Sequence, residues 1–300
     1  MSASLTSNAS PFARVAIVGV GLIGGSIAAA LHRRAPGTRV IGVGRSTTKL
    51  RPAIERGWLQ DATEDVATAA RQADLVIFCT PVDRIVAGVR EAAAACSPGT
   101  LLTDAGSVKG EICRELRTGL PRGVEFLGGH PLAGSEKTGY EFADPELYAG
   151  RVCVLTPHGT NSPQQIERLR QFWELLGAKV HQMSPEAHDR ALAETSHLPH
   201  LVASVLASVL SEENRPLTAS GFRDTTRIAA GDPDLWTAIL LQNASSLLER
   251  LQTFTHTANA FRAALEQQDS QTLRRLLSDG KQKRDAINSG SSHSTQPTST

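Results

Sequence analysis

Cysteine is scarce in this chain: four residues in 300 (Cys79, Cys96, Cys113, Cys153), far apart and with no Cys-x-x-Cys pair. That spacing excludes a zinc ribbon or a disulfide-stapled scaffold and points to a reducing, cytoplasmic setting. Charge of one sign is also lacking. Lys plus Arg number 31 and Asp plus Glu 30, a net of +1, so nothing in the balance draws the protein to nucleic acid or an anionic membrane. No long apolar run exists. The longest nonpolar-leaning stretch, LVASVLASVL from Leu201 to Leu210, is half a bilayer span and carries two serines. The start, MSASLTSNASPFAR, lacks the basic residues and apolar centre of a secretion signal. What is present, 40% hydrophobic against 20% charged residues, suits a globular core, and the length suggests two domains.

Residues 1–12 are rich in Ser, Ala and Asn and predict a disordered leader. From Ser289 the chain reads SGSSHSTQPTST, without a large apolar residue, which predicts a disordered tail over 289–300. Residues 13–184 alternate β-branched runs with helical stretches. VAIVGV (15–20), RVIGV (39–43), LVIFCT (75–80) and TLLTD (100–104) read as buried strands, separated by helices over 22–34, 48–56 and 82–95. Further strands are expected at 125–127, 151–155 and 179–183, with a helix over 163–176. Such alternation implies right-handed crossovers and a parallel, doubly wound sheet. From Pro185 the spacing is helical: one long pattern over 187–210, bent around Pro199, and another over 234–265. The expected class is α/β, a Rossmann-type doubly wound parallel sheet followed by an all-α domain over 185–288. That helical half holds more Leu, Ile and Ala than a small sheet edge can cover, which predicts a homodimer.

The chemistry clusters in five places. Gly19-Val20-Gly21-Leu22-Ile23-Gly24 is a GxGxxG between the first strand and first helix. Gly19 permits the tight turn, Gly21 lets pyrophosphate approach, and Gly24 lets helix and strand pack closely. The helix start at Leu22 and Ile23 offers unpaired N–H groups to phosphates. Thr80, closing the third strand, is counted with this cofactor site. After the second strand, where an NAD site places Asp or Glu, the chain reads Val43-Gly44-Arg45-Ser46-Thr47-Thr48. Arg45 and Ser46 suit a 2′-phosphate, so NADP is expected, with NAD as the alternative.

Thr103-Asp104-Ala105-Gly106-Ser107-Val108-Lys109 lies at the C-terminal end of a strand, where such sheets line their ligand crevice. Ser107 has a hydroxyl for bonding near a nicotinamide, although helix capping explains the cluster equally well. His130, in GGHPLAGSEKTG (128–139), is expected in a glycine-rich loop after a strand. Imidazole titrates near neutrality, which makes it a candidate general base; a structural role is the alternative. Ser196-His197-Leu198-Pro199-His200 puts two histidines three apart, a spacing zinc also uses, but no third ligand accompanies them and no metal is expected. In GFRDTTRI (221–228), Arg227 beside Ile and Ala reads as partly buried and paired with Asp224 or a substrate carboxylate.

In order, GVGLIGGS, DAGSVK, GGHPLAGSEKTG, SHLPHLVA and GFRDTTRIAAGDPDLW closely resemble the prephenate/arogenate dehydrogenase family over nearly all of residues 14–288. HPLAGSE and FRDTTRIA are highly specific; GxGxxG by itself is not. The resemblance implies oxidative decarboxylation of a small-molecule substrate, prephenate or arogenate, on the route to tyrosine. It also implies a Rossmann domain and a helical domain through which two subunits dimerise. Carried over, His130 matches the catalytic histidine and Ser107 the serine bonded to it and to the ring hydroxyl. Arg227 matches the arginine holding a substrate carboxylate, His200 a substrate-side histidine, and Ser135 with Glu136 the polar wall of the pocket. The usual acid after the second strand is absent, which puts NAD preference in question. No chorismate mutase segment precedes and no ACT segment follows, so a monofunctional enzyme is expected. Two competitors are another NADP oxidoreductase of sheet-plus-helix build, such as a β-hydroxyacid dehydrogenase or imine reductase, and a non-catalytic dinucleotide sensor.

Overall fold

The computed structural model describes residues 9–134 and 139–290, with backbone alone over 288–290. The first part of the chain runs β1 (Arg14–Val18), α1 (Leu22–Arg34), β2 (Arg39–Val43), α2 (Thr47–Glu55), β3 (Asp61–Thr63), α3 (Val66–Ala70), β4 (Leu75–Phe78), α4 (Val82–Ala93), β5 (Leu101–Asp104), α5 (Gly110–Leu116) and β6 (Glu125–Pro131). It continues through β7 (Val152–Thr156), α6 (Pro163–Leu175) and β8 (Lys179–Gln182). The helical part holds α7 (Pro185–Leu192), α8 (Leu198–Ser208), α9 (Ser220–Thr226), α10 (Pro233–Gln242), α11 (Ala244–Glu266) and α12 (Ser270–Gly290).

The strands form one sheet in the order β3-β2-β1-β4-β5-β6-β7-β8. β1 and β4 are buried along nearly their whole length because helices cover both faces of the sheet, which is why they read as continuous apolar runs rather than alternations; β5 is equally buried but ends on polar Thr103 and Asp104. One face packs Ile17, Leu75 and Leu155 against Ile27, Leu31, Phe172 and Trp173. The other packs Val76 and Phe78 against Ile85, Val89 and Ile112. Helix starts follow local chemistry: Ser162, Ser184 and Asp232 each cap a helix whose first residue is Pro.

The structure departs from the sequence expectation in five places. β6 and β7 pair antiparallel, so the sheet is mostly rather than wholly parallel. The connection between them holds no helix longer than one 3₁₀ turn among the described residues, and without a crossover the strand returns antiparallel. β3, α3 and α5, none longer than seven residues, are too short for a periodic signal. The expected 187–210 helix is interrupted by a π-turn at Ala193–His197, where Leu198 N–H reaches the Ala193 carbonyl just before Pro199. The expected 234–265 helix breaks at buried Asn243. Order also begins before residue 13: Phe12 is fully buried, edge-on to Phe172, with the Arg168 guanidinium 4.2 Å above its ring.

The chain divides into two compact units at Leu247/Leu248. α7, α8 and α10 belong to the first unit: Ile239 of α10 shares a core with Phe78, and His200 of α8 stacks on Trp236 of α10. The second unit, from Leu248, carries surface ion pairs Arg262–Glu266 and Lys281–Asp285 and exposes Leu248, Leu265, Leu277 and Ile287.

Candidate active site

The glycine turn after β1 makes an open cradle. Gly19 has φ +95°, and a Cβ there would sit 2.7 Å from the Cys79 carbonyl oxygen. A Cβ at Gly24 would strike the Gly19 carbonyl, whereas at Gly21 nothing lies within 4 Å. α1 begins with no side-chain cap and no acidic residue in its first turn, leaving its N–H groups and positive dipole end bare. Leu22 and Ile23 are half-buried in that turn, and the Ile23 carbonyl accepts the Tyr148 hydroxyl at 2.7 Å. The Thr80 hydroxyl oxygen is buried with no hydrogen-bond partner. An open glycine approach, bare amides and an orphaned hydroxyl fit a dinucleotide's phosphates. At the end of β2, Arg45 is exposed and Ser46 half-buried, and Thr47 N–H bonds the Glu64 carboxylate at 3.1 Å.

Beside the cradle lies a buried polar network. Asp104 ends β5 and pairs with Lys109, both side chains fully buried. The remaining Asp104 capacity accepts Gly106 N–H at 2.9 Å and Gly129 N–H at 3.1 Å, tying the β5 loop to β6. His130 is part of β6 itself, opposite Val154, and not in a loop after it as expected. Its Nδ1 lies 2.8 Å from Nε2 of the fully buried His188 on α7, and His188 Nδ1 lies 2.8 Å from the Asp189 carboxylate. Asp189 also accepts the N–H groups of Lys109 (2.8 Å) and Gly110 (2.7 Å). Asn243 Nδ2 donates to the Asp189 carbonyl at 2.7 Å and lies 3.0 Å from His197 Nδ1.

Burial first, and then the buried Lys109 ammonium and the competing imidazoles of His188 and His197, push the His130 pKa well below the usual 6.5. The imidazole is therefore neutral at physiological pH, as a base must be, but its titration moves below the near-neutral range expected from its type. Burial also holds His197 down, to about 4. His200, on α8, stacks on Trp236 with centroids 3.5 Å apart and rings 11° from parallel.

Ser107 is half-buried in the Asp104–Lys109 loop, and His130 Nδ1 is engaged by His188. Arg227 is exposed rather than partly buried, because α9 and the 3₁₀ turn after it bury no residue. Ser135 and Glu136 lie outside the described residues. His188, Asp189 and Asn243 were missed as site residues. His188 and Asp189 are chain neighbours, which on a helix do not face each other, so their pairing had no spacing signal.

Two family models divide the chain between them: the nucleotide-binding domain of prephenate dehydrogenase matches residues 27–182, and its dimerization domain residues 184–279. The chain belongs to the prephenate dehydrogenase family. Among similar family members, the prephenate dehydrogenase of Bacillus subtilis (strain 168) is 35% identical over 280 residues, 91% of this chain and 76% of that protein. The cyclohexadienyl dehydrogenase of Zymomonas mobilis is 35% identical over 269 residues, 87% of this chain and 92% of that protein. The A. aeolicus prephenate dehydrogenase, solved with hydroxyphenyl propionate and NAD+, superposes with TM-score 0.84 at 31% identity, over 91% of this chain and 98% of that one. Membership makes the protein a dehydrogenase that uses a nicotinamide dinucleotide. Among the described residues no helix is long and apolar enough to cross a membrane.

Proposed function

We propose that the protein oxidatively decarboxylates prephenate or arogenate, giving 4-hydroxyphenylpyruvate or tyrosine, with His130 as the general base. The observation that carries this reading is a buried, neutral imidazole near the C-terminal end of β6, on the side of the sheet where the open glycine cradle follows β1. His130 takes the proton of the ring hydroxyl, so the carbon bearing that oxygen becomes a carbonyl carbon as its hydride leaves. The nicotinamide, when bound, supplies the hydride acceptor. The ring carboxylate departs as carbon dioxide, its electron pair passes through the ring to that oxygen, and the oxygen takes a proton back from His130 as the ring becomes aromatic, so the chain's task is mainly orientation and holding one proton. Ser107 hydrogen-bonds the same hydroxyl, and His200 lines the substrate side. A matrix of both substrates against NADP and NAD, read as reduced-cofactor absorbance, tests the reading. No reduction in any of the four combinations overturns it.

Arg227 holds a substrate carboxylate. Its exposure suits capture of an anion in the ground state, so Arg227→Ala should raise KM steeply with a smaller fall in kcat. Equal losses in kcat and kcat/KM would assign it to the transition state instead.

The preferred dinucleotide is NADP, with NAD the alternative. No carboxylate ends β2, Glu64 is engaged at Thr47 N–H, and Arg45 stands exposed. Charge-assisted contact with a 2′-phosphate is worth about 1.5–3 kcal/mol. Arg45→Ala should thus raise KM for NADP about ten- to hundredfold and leave KM for NAD nearly unchanged. A wild type that prefers NAD and an inert Arg45→Ala would refute it.

The working form is a cytoplasmic homodimer built on the helical half. One chain leaves Val209, Leu241, Leu248, Leu265 and Leu277 each more than 60% exposed, a pattern a second subunit would cover. Light scattering at micromolar concentration should give twice the 31.9 kDa chain mass. A monomeric mass would exclude this assembly.

A further inference from the structure

We propose that His188 and Asp189 are positioning residues that fix His130 in the tautomer bearing its proton on Nδ1, leaving Nε2 free to accept the substrate's proton. This rests on the reading of His130 as the base and names what prepares it. The argument starts at the carboxylate. Both Asp189 carboxylate oxygens already accept backbone N–H groups, of Lys109 and Gly110, which casts the carboxylate as an acceptor and His188 Nδ1, 2.8 Å away, as the donor. A neutral His188 then carries a lone pair on Nε2. His130 Nδ1 lies 2.8 Å from that nitrogen, so it must carry the hydrogen and donate it. The lone pair of His130 is thereby confined to Nε2.

Asp189 is itself held in place by two backbone N–H groups at the start of α5, and its carbonyl by Asn243. Its carboxylate therefore cannot rotate away without leaving buried donors unpaired. When His130 takes a proton on Nε2, its Nδ1–H bond to His188 becomes charge-assisted. The Asp189 carboxylate then balances the new charge through His188, offsetting the opposing positive charge of Lys109. Were His188 to carry its proton on Nε2, His130 Nδ1 would have to accept, and the proton would sit on Nε2, where the base is needed.

The test combines spectroscopy with kinetics. A long-range ¹H–¹⁵N spectrum of the wild-type histidine rings, assigned against His130→Asn, should show His130 protonated on Nδ1 and bare on Nε2. His188→Leu keeps an apolar body but removes the acceptor. It should lower kcat by roughly 10- to 10³-fold, less than the full loss of a general base worth about 10²–10⁴, with KM for substrate and dinucleotide within about threefold of wild type. His188→Gln, whose amide oxygen can accept from Nδ1–H, should recover most of that loss. A merely structural role would move KM as well and give no such recovery. A wild-type His130 protonated on Nε2, or His188→Leu with unchanged kcat, overturns the proposal, and the wild-type spectrum decides even if the leucine variant fails to fold. If His130→Asn itself keeps full kcat, it is the reading of His130 as base that fails.

Discussion

His130→Asn is expected to lower kcat by about 10²–10⁴ while KM for the substrate stays within a few-fold. The amide can still donate to the ring oxygen, but it cannot accept a proton at neutral pH. The pH profile supplies a second readout. A base whose pKa is held well below 6.5 remains unprotonated through neutral pH, so wild-type kcat/KM should be flat there. It should fall only as acidity reaches the depressed His130 pKa, and that limb should vanish in the variant. An unchanged acid limb in His130→Asn, with kcat within a few-fold of wild type, would assign the base elsewhere. His200 is then the residue to test, because its stacked ring is the other histidine proposed to face the substrate.

Asp104→Ala should be the most destabilising single change near the site. It strands the Lys109 ammonium, fully buried, and leaves the N–H groups of Gly106 and Gly129 without their acceptor. Removing one partner of a buried ion pair costs about 3–5 kcal/mol, which for a protein of this size lowers Tm by roughly 6–20 °C. Replacing both partners at once, Asp104→Leu with Lys109→Met, should recover part of the loss because no charge is left unpaired. Calorimetry of the single and double variants measures both. A single variant within about 1 kcal/mol of wild type would mean that water reaches the pair.

The parts of the fold legible in the sequence are those whose cause is local. β1, β2 and β4 announce themselves because strands buried on both faces are nearly continuous apolar runs, and β5 opens on the same pattern before its buried Thr103 and Asp104. The GxGxxG is legible because the turn requires φ +95° at Gly19 and space at Gly24. The antiparallel return at β7 and the break at Asn243 were not legible, since both are set by partners distant in the chain. The same holds within the site. His130 stood out through its motif, but its environment did not. His188 lies 58 residues away and reaches His130 only because α7 packs against the start of α5 and the end of β6. Arg227 was misjudged for the opposite reason: apolar neighbours in sequence suggested burial, but its short helix and 3₁₀ turn lie at the surface.

Because His130 is a strand residue, its backbone is fastened into ladders that extend across eight strands. Amides in such a ladder open only when much of the domain opens, and should be among the slowest to exchange with deuterium. Arg227 rides on a seven-residue helix and a four-residue turn with no buried residue, where opening costs far less. On the proposed reading the proton acceptor sits on the more rigid element, and any closing over the substrate falls to the arginine's side. Hydrogen exchange should then divide the two halves of the site: protection in β6 insensitive to ligand, and protection over 220–230 that rises when an anionic substrate analogue binds.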